Sequence, residues 1–427
     1  MDKQKILNIL REEIVPAQGC TEPIAIAYVC AKAKEVLGYM PSKIDIYVSG
    51  NMIKNVKSVT IPNSEGMVGI EAAVALGLSA GDSKKELMVI SDLSKKDIQK
   101  AKHYLDTHTI NVIHDKSSVK LYIRVEAFYK NDFALVEIKH FHTNITRIEK
   151  NKKILVEQIC NDIDFKTTKD DRADLSIKTI YSFAKSIDTK EVEDLFDQVI
   201  RLNSSIANAG LKEEFGVNIG SLIQKNMNEG FYGKDIRNKC VSFTAAGSDA
   251  RMSGCSLPVM TTSGSGNQGM TASLPIIKYA QEKKLSKEQL IRGLVFSHLS
   301  TIHLKTSVGR LSAYCGVMCA ASAVAGAISF LEEATYDTVA NSISNNLGNV
   351  SGIICDGAKA SCATKIATGL YAAFDSSMLA LNQKYLQDGE GIISSNVEAT
   401  IKNIGVLAQV GMRKTDEVIL NIMQKKT

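Results

Sequence analysis

Cys355 and Cys362 lie in the turn-rich stretch LGNVSGIICDGAKASCA (347–363), and Cys315 stands forty residues upstream of the first of them in LSAYCGVMC. Three thiols from two separate segments, in a chain whose N-terminus does not read as a secretory signal, suit a metal or iron-sulfur site better than a disulfide framework. Zinc accepts similar thiolate spacing, but structural zinc sites draw on a full four-ligand set with short paired spacings, which this pattern lacks. Buried inert thiols are the competing reading. Cys315 and Cys319 are four apart and share one helix face; Gly316 beside Cys315 permits close approach, which favours Cys315 as the ligand.

A second group, TTSGSGNQGM (261–270), sits inside a run from Met252 to Ile277 without a charged residue. Gly264, Gly266 and Gly269 let successive N–H groups turn inward as an anion nest, and Ser263, Ser265, Asn267 and Gln268 add neutral polar groups. A helix start follows at TASLPII, so a carboxylate or phosphate at a helix N-terminus is a better reading than a flexible linker. The segment has neither a Walker GK[ST] ending nor the strand that precedes a dinucleotide fingerprint. Cys20, in PAQGCTEP, falls on a loop entering a helix with Glu22 in its first turn, a placement that lowers a thiol pKa. Asn51, in VSGNMIKN, and the segment FHTNITRIEKN (141–151) put polar groups near strand ends, where substrate contact and simple turn chemistry fit equally well. Lys305, Lys359 and Lys365 could balance an anionic centre, although solvated lysines are the default. His103, His108, His114, His140 and His142 show no convincing ligand spacing.

These groups need elements to hold them. A chain of 427 residues has material for two or three domains, and 44% hydrophobic with 23% charged residues describes an ordinary globular protein. The net charge of +5 is spread among mixed-sign segments such as KEVEDLF and EKKLSKEQ, which argues against nucleic acid as a partner. Residues 1–40 read as two helices broken at PAQGCTEP. Between 41 and 152, KIDIYVSG, KELMVISD, INVIHD, VKLYIRVEAFYKN and FALVEIKHF read as strands, with a hairpin turn at Lys130 to Asp132 and helices at EGMVGIEAAVALGL and LSKKDIQKAKHYLD. From 153 to 427 the pattern is almost wholly helical. The expected class is therefore α+β, with a helical region carrying most of the chemistry and an inserted mixed region with an antiparallel-rich sheet. The N-terminal segment is expected to pack on the helical region. Leu311 to Leu331 holds 21 residues without a charge, but its Ala, Gly, Ser and Cys content favours a central core helix over a membrane span.

Five segments in order, GCTEPIA, HTNITRIEKN, SGSGNQG, GRLSAYCG and NVSGIICDGAKASCATKI, resemble the L-cysteine desulfidase family, which is related to the α part of iron-sulfur L-serine dehydratases. The resemblance covers essentially the whole chain. It implies a [4Fe-4S] cluster ligated by Cys315, Cys355 and Cys362, with Cys20 at the family's additional active-site cysteine. Tyr314 stands where the family commonly has Leu, and Ala360 where it commonly has Pro; neither removes a ligand. The implied reaction is non-redox β-elimination of L-cysteine to pyruvate, ammonia and sulfide without pyridoxal phosphate. On this reading the Thr262 to Gly269 loop, with Ser263, Ser265, Gly266, Asn267 and Gln268, takes the carboxylate. Glu22 or Asn51 takes the ammonium, and Cys20 is the thiolate base. L-Serine dehydration is the neighbouring alternative, and an iron-sulfur or thiol sensor without turnover the alternative of another class. A cytoplasmic location is expected, with a homodimer left open.

Overall fold

The structure is a computed structural model that describes residues 2–160, 172 and 174–424. The chain opens with α1 (Lys3–Glu13), a short strand β1 (Pro16–Gln18) and α2 (Thr21–Leu37). Then come β2 (Lys43–Ser49), α3 (Gly50–Val56), α4 (Ile70–Ala80), α5 (Lys95–Thr107), β3 (Thr109–Asp115), β4 (Tyr122–Tyr129), β5 (Asp132–Lys139), β6 (Ile145–Lys150) and β7 (Lys153–Glu157). The six longer strands form one sheet in the order β3-β2-β4-β5-β6-β7, parallel only between β2 and β3. The β4–β5 hairpin turns at Lys130, whose φ of 52° supplies the left-handed turn residue.

The helical part comprises α6 (Ile177–Ser186), α7 (Glu193–Lys212), α8 (Ile219–Glu229), α9 (Ile236–Met252), the short strand β8 (Pro258–Met260), α10 (Gly266–Lys283) and α11 (Lys287–Val308). It continues through α12 (Gly316–Leu331), α13 (Tyr336–Val350), α14 (Cys362–Leu381), α15 (Val397–Val406) and α16 (Arg413–Gln424). The class is α+β, as the periodicities indicate. The uncharged segment supplies α12, nearly every residue of which is buried, packed among α10, α11, α13 and α14. Among the described residues no helix is long and apolar enough to cross a membrane.

Two hydrophobic cores result. In the larger, Ile6, Leu7, Leu10 and Ile14 of α1 join the helical part. In the smaller, Ile24, Ile26 and Val29 of α2 pack with α4 on the apolar faces of β2, β4 and β5. The N-terminal segment is thus divided between the two, and its break is the point of passage. Strand β1 crosses there and pairs antiparallel with β8, Pro16 opposite Met260 and Gln18 opposite Pro258.

One expected strand is absent. KELMVISD forms a 3-10 turn at Ser83–Met88 followed by further turns. The Asp82 side chain accepts from Lys84 N and starts a local turn, and Glu86 adopts φ 46°, which breaks extended pairing. Burial falls on Leu87, Val89 and Ile90 without alternation.

Helix α9 runs so close to α7 that a Cβ on Gly210 would lie 1.9 Å from the carbonyl oxygen of Ala246. Backbone cannot yield there as a flexible side chain could. Gly210→Ala is expected to lower unfolding free energy by about 2 kcal/mol, read as a lower urea midpoint with the native fold retained.

Candidate active site

The approaches to the site are built from backbone. Ile354 bridges antiparallel to Tyr314, with Cys315 N donating to Ile353 O (3.2 Å) and Cys355 N to Ala313 O (2.6 Å). This ladder places Cys315 and Cys355 side by side although forty residues separate them. Cys315 is the N-cap of α12, and Cys362 begins α14. Gly357, between Cys355 and Cys362, has φ 101°, and a Cβ there would meet Lys54 O at 2.3 Å. Only glycine fits that turn against α3. Lys54, itself buried, donates to Cys355 O (3.2 Å) and pairs with Asp416 of α16 (2.6 Å), whose other oxygen accepts from Ala313 N (3.0 Å). Asp416 therefore ties both cysteine-bearing strands to α3.

On the opposite wall, the β1–β8 ladder and the bond from Thr261 N to Val15 O (2.8 Å) hold the Cys20 turn beside the 261–265 loop. Thr262 and Ser265 close that loop by reciprocal backbone bonds of 3.1 Å each. Ser263 and Gly264 take positive φ, and Ser265 caps α10. Thr21 Oγ1 donates to Gly264 O (3.0 Å). All three thiols, Cys20, Glu22, Asn51, Ser263, Ser265, Asn267 and Gln268 line one cavity of about 90 Å³. Of the expected site residues, Gly266 alone does not line it, lying behind Ser265 against the guanidinium of Arg251. Asn51 belongs to the first turn of α3. Cys319 is buried one turn along α12, outside the cavity lining.

The Cys20 thiol departs from the expectation at its helix entry. Burial, then the Glu22 charge, pushes its pKa well above the usual thiol range, overriding the helix terminus. Cys20 Sγ donates to Glu22 Oε2 (2.9 Å), and the other carboxylate oxygen accepts from Asn55 Nδ2 (3.0 Å). Burial would raise the Glu22 pKa, but His142 and the Cys20 bond outweigh it and hold it at about 2. His142 Nε2 lies 3.9 Å from Glu22 Oε1, too far for a hydrogen bond, so charge is what it contributes when protonated. Cys20 rests as a thiol against a carboxylate, not as a thiolate.

Four further residues complete the walls: Arg251, which the sequence reading did not name, and His142, Asn55 and Arg310, which lie in segments it quoted without giving them a role. His142 and Arg310 approach Gly264, where a Cβ would come within 3.0 Å and 2.8 Å of them. Arg310 pairs with Glu13 (2.7 Å) and stacks over Phe141. Arg251, at the end of α9, is buried with no carboxylate paired to it among the described residues. Asn55 completes the Glu22 contacts. Burial, which sequence spacing does not display, is what sets these polar residues apart. Lys305 is likewise buried and lines the cavity, not solvated as the default has it; Lys359 and Lys365 pair with Asp356.

The three-thiol set has the donor chemistry of an iron-sulfur centre. Cys315 is pushed up first by burial and then by Cys355 and Cys362, so ionisation of one opposes ionisation of the others unless cations stand between them. Lys305 and Lys365 bring positive charge to the same thiols. Among the described residues no three His, Cys, Asp or Glu side chains converge as the ligands of a single metal ion. A cluster differs in that each thiolate takes a different iron, so its ligands stand apart around a common space.

The chain belongs to the serine dehydratase alpha chain family, whose sequence model matches residues 84–421, and membership of that family makes it a lyase-type enzyme. Among its relatives, a UPF0597 protein of Fusobacterium nucleatum is 60% identical over 422 residues, covering 99% of both chains. UPF0597 proteins of Desulfitobacterium hafniense and Treponema denticola are 46% and 42% identical, covering 98% and 99% of this chain and 96% and 98% of their own. The family match begins after Cys20, Glu22 and Asn51, so part of the cavity wall comes from outside the matched region.

Two outcomes follow from the supporting residues. Asp416→Ala leaves the Lys54 ammonium buried without its partner and should cost about 3 kcal/mol, measured by chemical denaturation. Asp249 of α9, two residues before Arg251, accepts from Gly220 N (2.9 Å) at the start of α8, and burial lifts its pKa to about 7 against those N–H groups. The native carboxyl keeps a proton that the unfolded chain releases near pH ~4, so this share of stability is lost as pH rises from about 4 through about 7. Asp249→Asn should flatten that part of the profile, seen in urea midpoints at about pH 5 and about pH 8.

Proposed function

We propose that the protein is an L-cysteine desulfidase, converting L-cysteine and water to pyruvate, ammonia and sulfide by β-elimination. The observation that carries this reading is the meeting, in one cavity, of three thiols, the Ser265-capped start of α10 and a separate thiol–carboxylate pair. Cys315, Cys355 and Cys362 would hold a [4Fe-4S] cluster. When bound, a cluster with one iron free of protein ligand supplies a Lewis acid for the departing sulfur.

The chain's own residues do the rest. The Ser265 turn and the first N–H groups of α10 hold the substrate carboxylate, with Ser263, Asn267 and Gln268 alongside. Asn51, which makes no side-chain hydrogen bond among the described residues, faces the ammonium beside Glu22. Cys20, in its thiolate form, takes the Cα proton as the Cβ–S bond breaks and hands it to the departing sulfide, while Glu22 stays ionised beside the ammonium. The aminoacrylate so formed tautomerises and hydrolyses in water.

L-Serine dehydration is the second reading, favoured by the description of the matching family. Parallel assays on anaerobically reconstituted protein separate them: sulfide from L-cysteine supports the first, and pyruvate from L-serine without sulfide release from cysteine supports the second. A cluster with no product from either substrate would leave a sensor. Cys20→Ala should retain the cluster absorbance while turnover falls by a factor on the order of 10²–10⁴; a fully active variant removes Cys20 from the mechanism.

A further inference from the structure

Arg251 is 2% exposed, and its Nε has no hydrogen-bond partner among the described residues. Nor does any carboxylate among them pair with its guanidinium, in a chain where Arg310, Arg172 and Arg292 each have one. A buried cation left this way costs several kcal/mol unless something anionic meets it (roughly, as for a broken buried pair). Its surroundings make the imbalance worse. The guanidinium lies against the start of α10, where a Cβ on Gly266 would stand 2.4 Å from Nε and 2.7 Å from Cζ. Gly266 has no positive φ, so glycine is needed there for space alone. A helix N-terminus carries partial positive charge, and the N–H groups of Gly266 and Asn267 find no acceptor within the described chain. Two positive groups have been brought together with room made for their approach. Arg251 also lines the cavity and acts electrostatically on both Cys20 and Cys362, which places it between the thiol–carboxylate pair and the three-thiol set.

We propose that Arg251 is the specificity-determining residue of the site, receiving the substrate carboxylate on its guanidinium fork together with the first N–H groups of α10. This deepens the lyase reading given above and rests on it. A planar fork takes two carboxylate oxygens at once and fixes the plane of the acid as well as its position. Anchoring that end sets which way Cα and Cβ point, toward Cys20 on one side and the three thiols on the other. The site then selects α-carboxylates and rejects amines or thiols that lack the acid.

The test is titration calorimetry on reconstituted protein with two thiol probes: 3-mercaptopropionate, which has the carboxylate and no amine, and cysteamine, which has the amine and no carboxylate. Arg251→Gln is expected to weaken 3-mercaptopropionate at least tenfold while leaving cysteamine within about twofold, a carboxylate hydrogen-bonded to a charged group supplying roughly that difference; Arg251→Lys should recover part of the loss. Equal weakening of both probes assigns Arg251 to the thiols or to structure and overturns the proposal, as does no weakening or a wild-type protein that binds neither. Should circular dichroism show that Arg251→Gln does not fold, Gly266→Ala displaces the guanidinium and must give the same selective loss. Selective loss in a protein that releases neither sulfide nor pyruvate keeps the role of Arg251 and sinks the lyase assignment, whereas loss of selectivity in an active lyase sinks Arg251 alone.

Discussion

Positive ends of helices converge on one small space, and the rest of the molecule is arranged around supporting that convergence. Cys20, Ser265 and Cys315 cap α2, α10 and α12, and Cys362 opens α14. Four helix N-termini, Arg251 and Lys305 therefore face a cavity whose lining offers a single carboxylate, that of Glu22. Each terminus is weak alone, worth ~0.3–1 kcal/mol toward a nearby anion, but partial burial and shared direction strengthen them. Cys20, Cys315 and Cys362 stand at these positive ends, although burial still raises their pKa values. The same field serves a carboxylate.

Such a field has to be enclosed, and the seam between two cores encloses it. The sheet-bearing core supplies α2 and α3, while the helical core supplies α9, α10, α12 and α14. The seam is stitched by charged and backbone contacts and not by apolar packing alone: Lys54 to Asp416, and β1 to β8. A site inside either core would lack one wall. The division of the N-terminal segment follows from this, since its break must cross the seam to deliver Cys20.

What could be read from the residues and what could not differ in kind. Cysteine and glycine clusters announce themselves because both types are unusual in short, turn-rich stretches; hence Cys315, Cys355, Cys362 and the 261–270 loop were visible by composition and spacing. The strands that alternate, such as YIRVEAFY, were visible for the same reason. Arg251 was not, and Lys305 and His142 were named without a firm role, because a lone basic residue is ordinarily solvated and only tertiary burial makes it otherwise. KELMVISD misled because its apolar residues suit a strand while Asp82 and the lysines suit a turn, and the local hydrogen bond prevailed. For Cys20, helix entry gave the correct position and the wrong sign of the pKa change, since desolvation and Glu22 are both stronger than one terminus.

The anchoring of the cysteine-bearing strands by Asp416 also bears on the order of events during synthesis. Cys315, Cys355 and Cys362 all precede Asp416 in the chain, the last of them by more than fifty residues. As the polypeptide grows, the thiols emerge while Lys54 still lacks its partner and Ala313 its acceptor. Cys315 and Cys355 are by then joined by their own short ladder, and Cys362 is carried by α14. The arrival of α16 then fixes this ladder to α3 through Asp416 and Lys54. Folding of this protein thus has a natural last step, made by a carboxylate that stands outside the cavity lining.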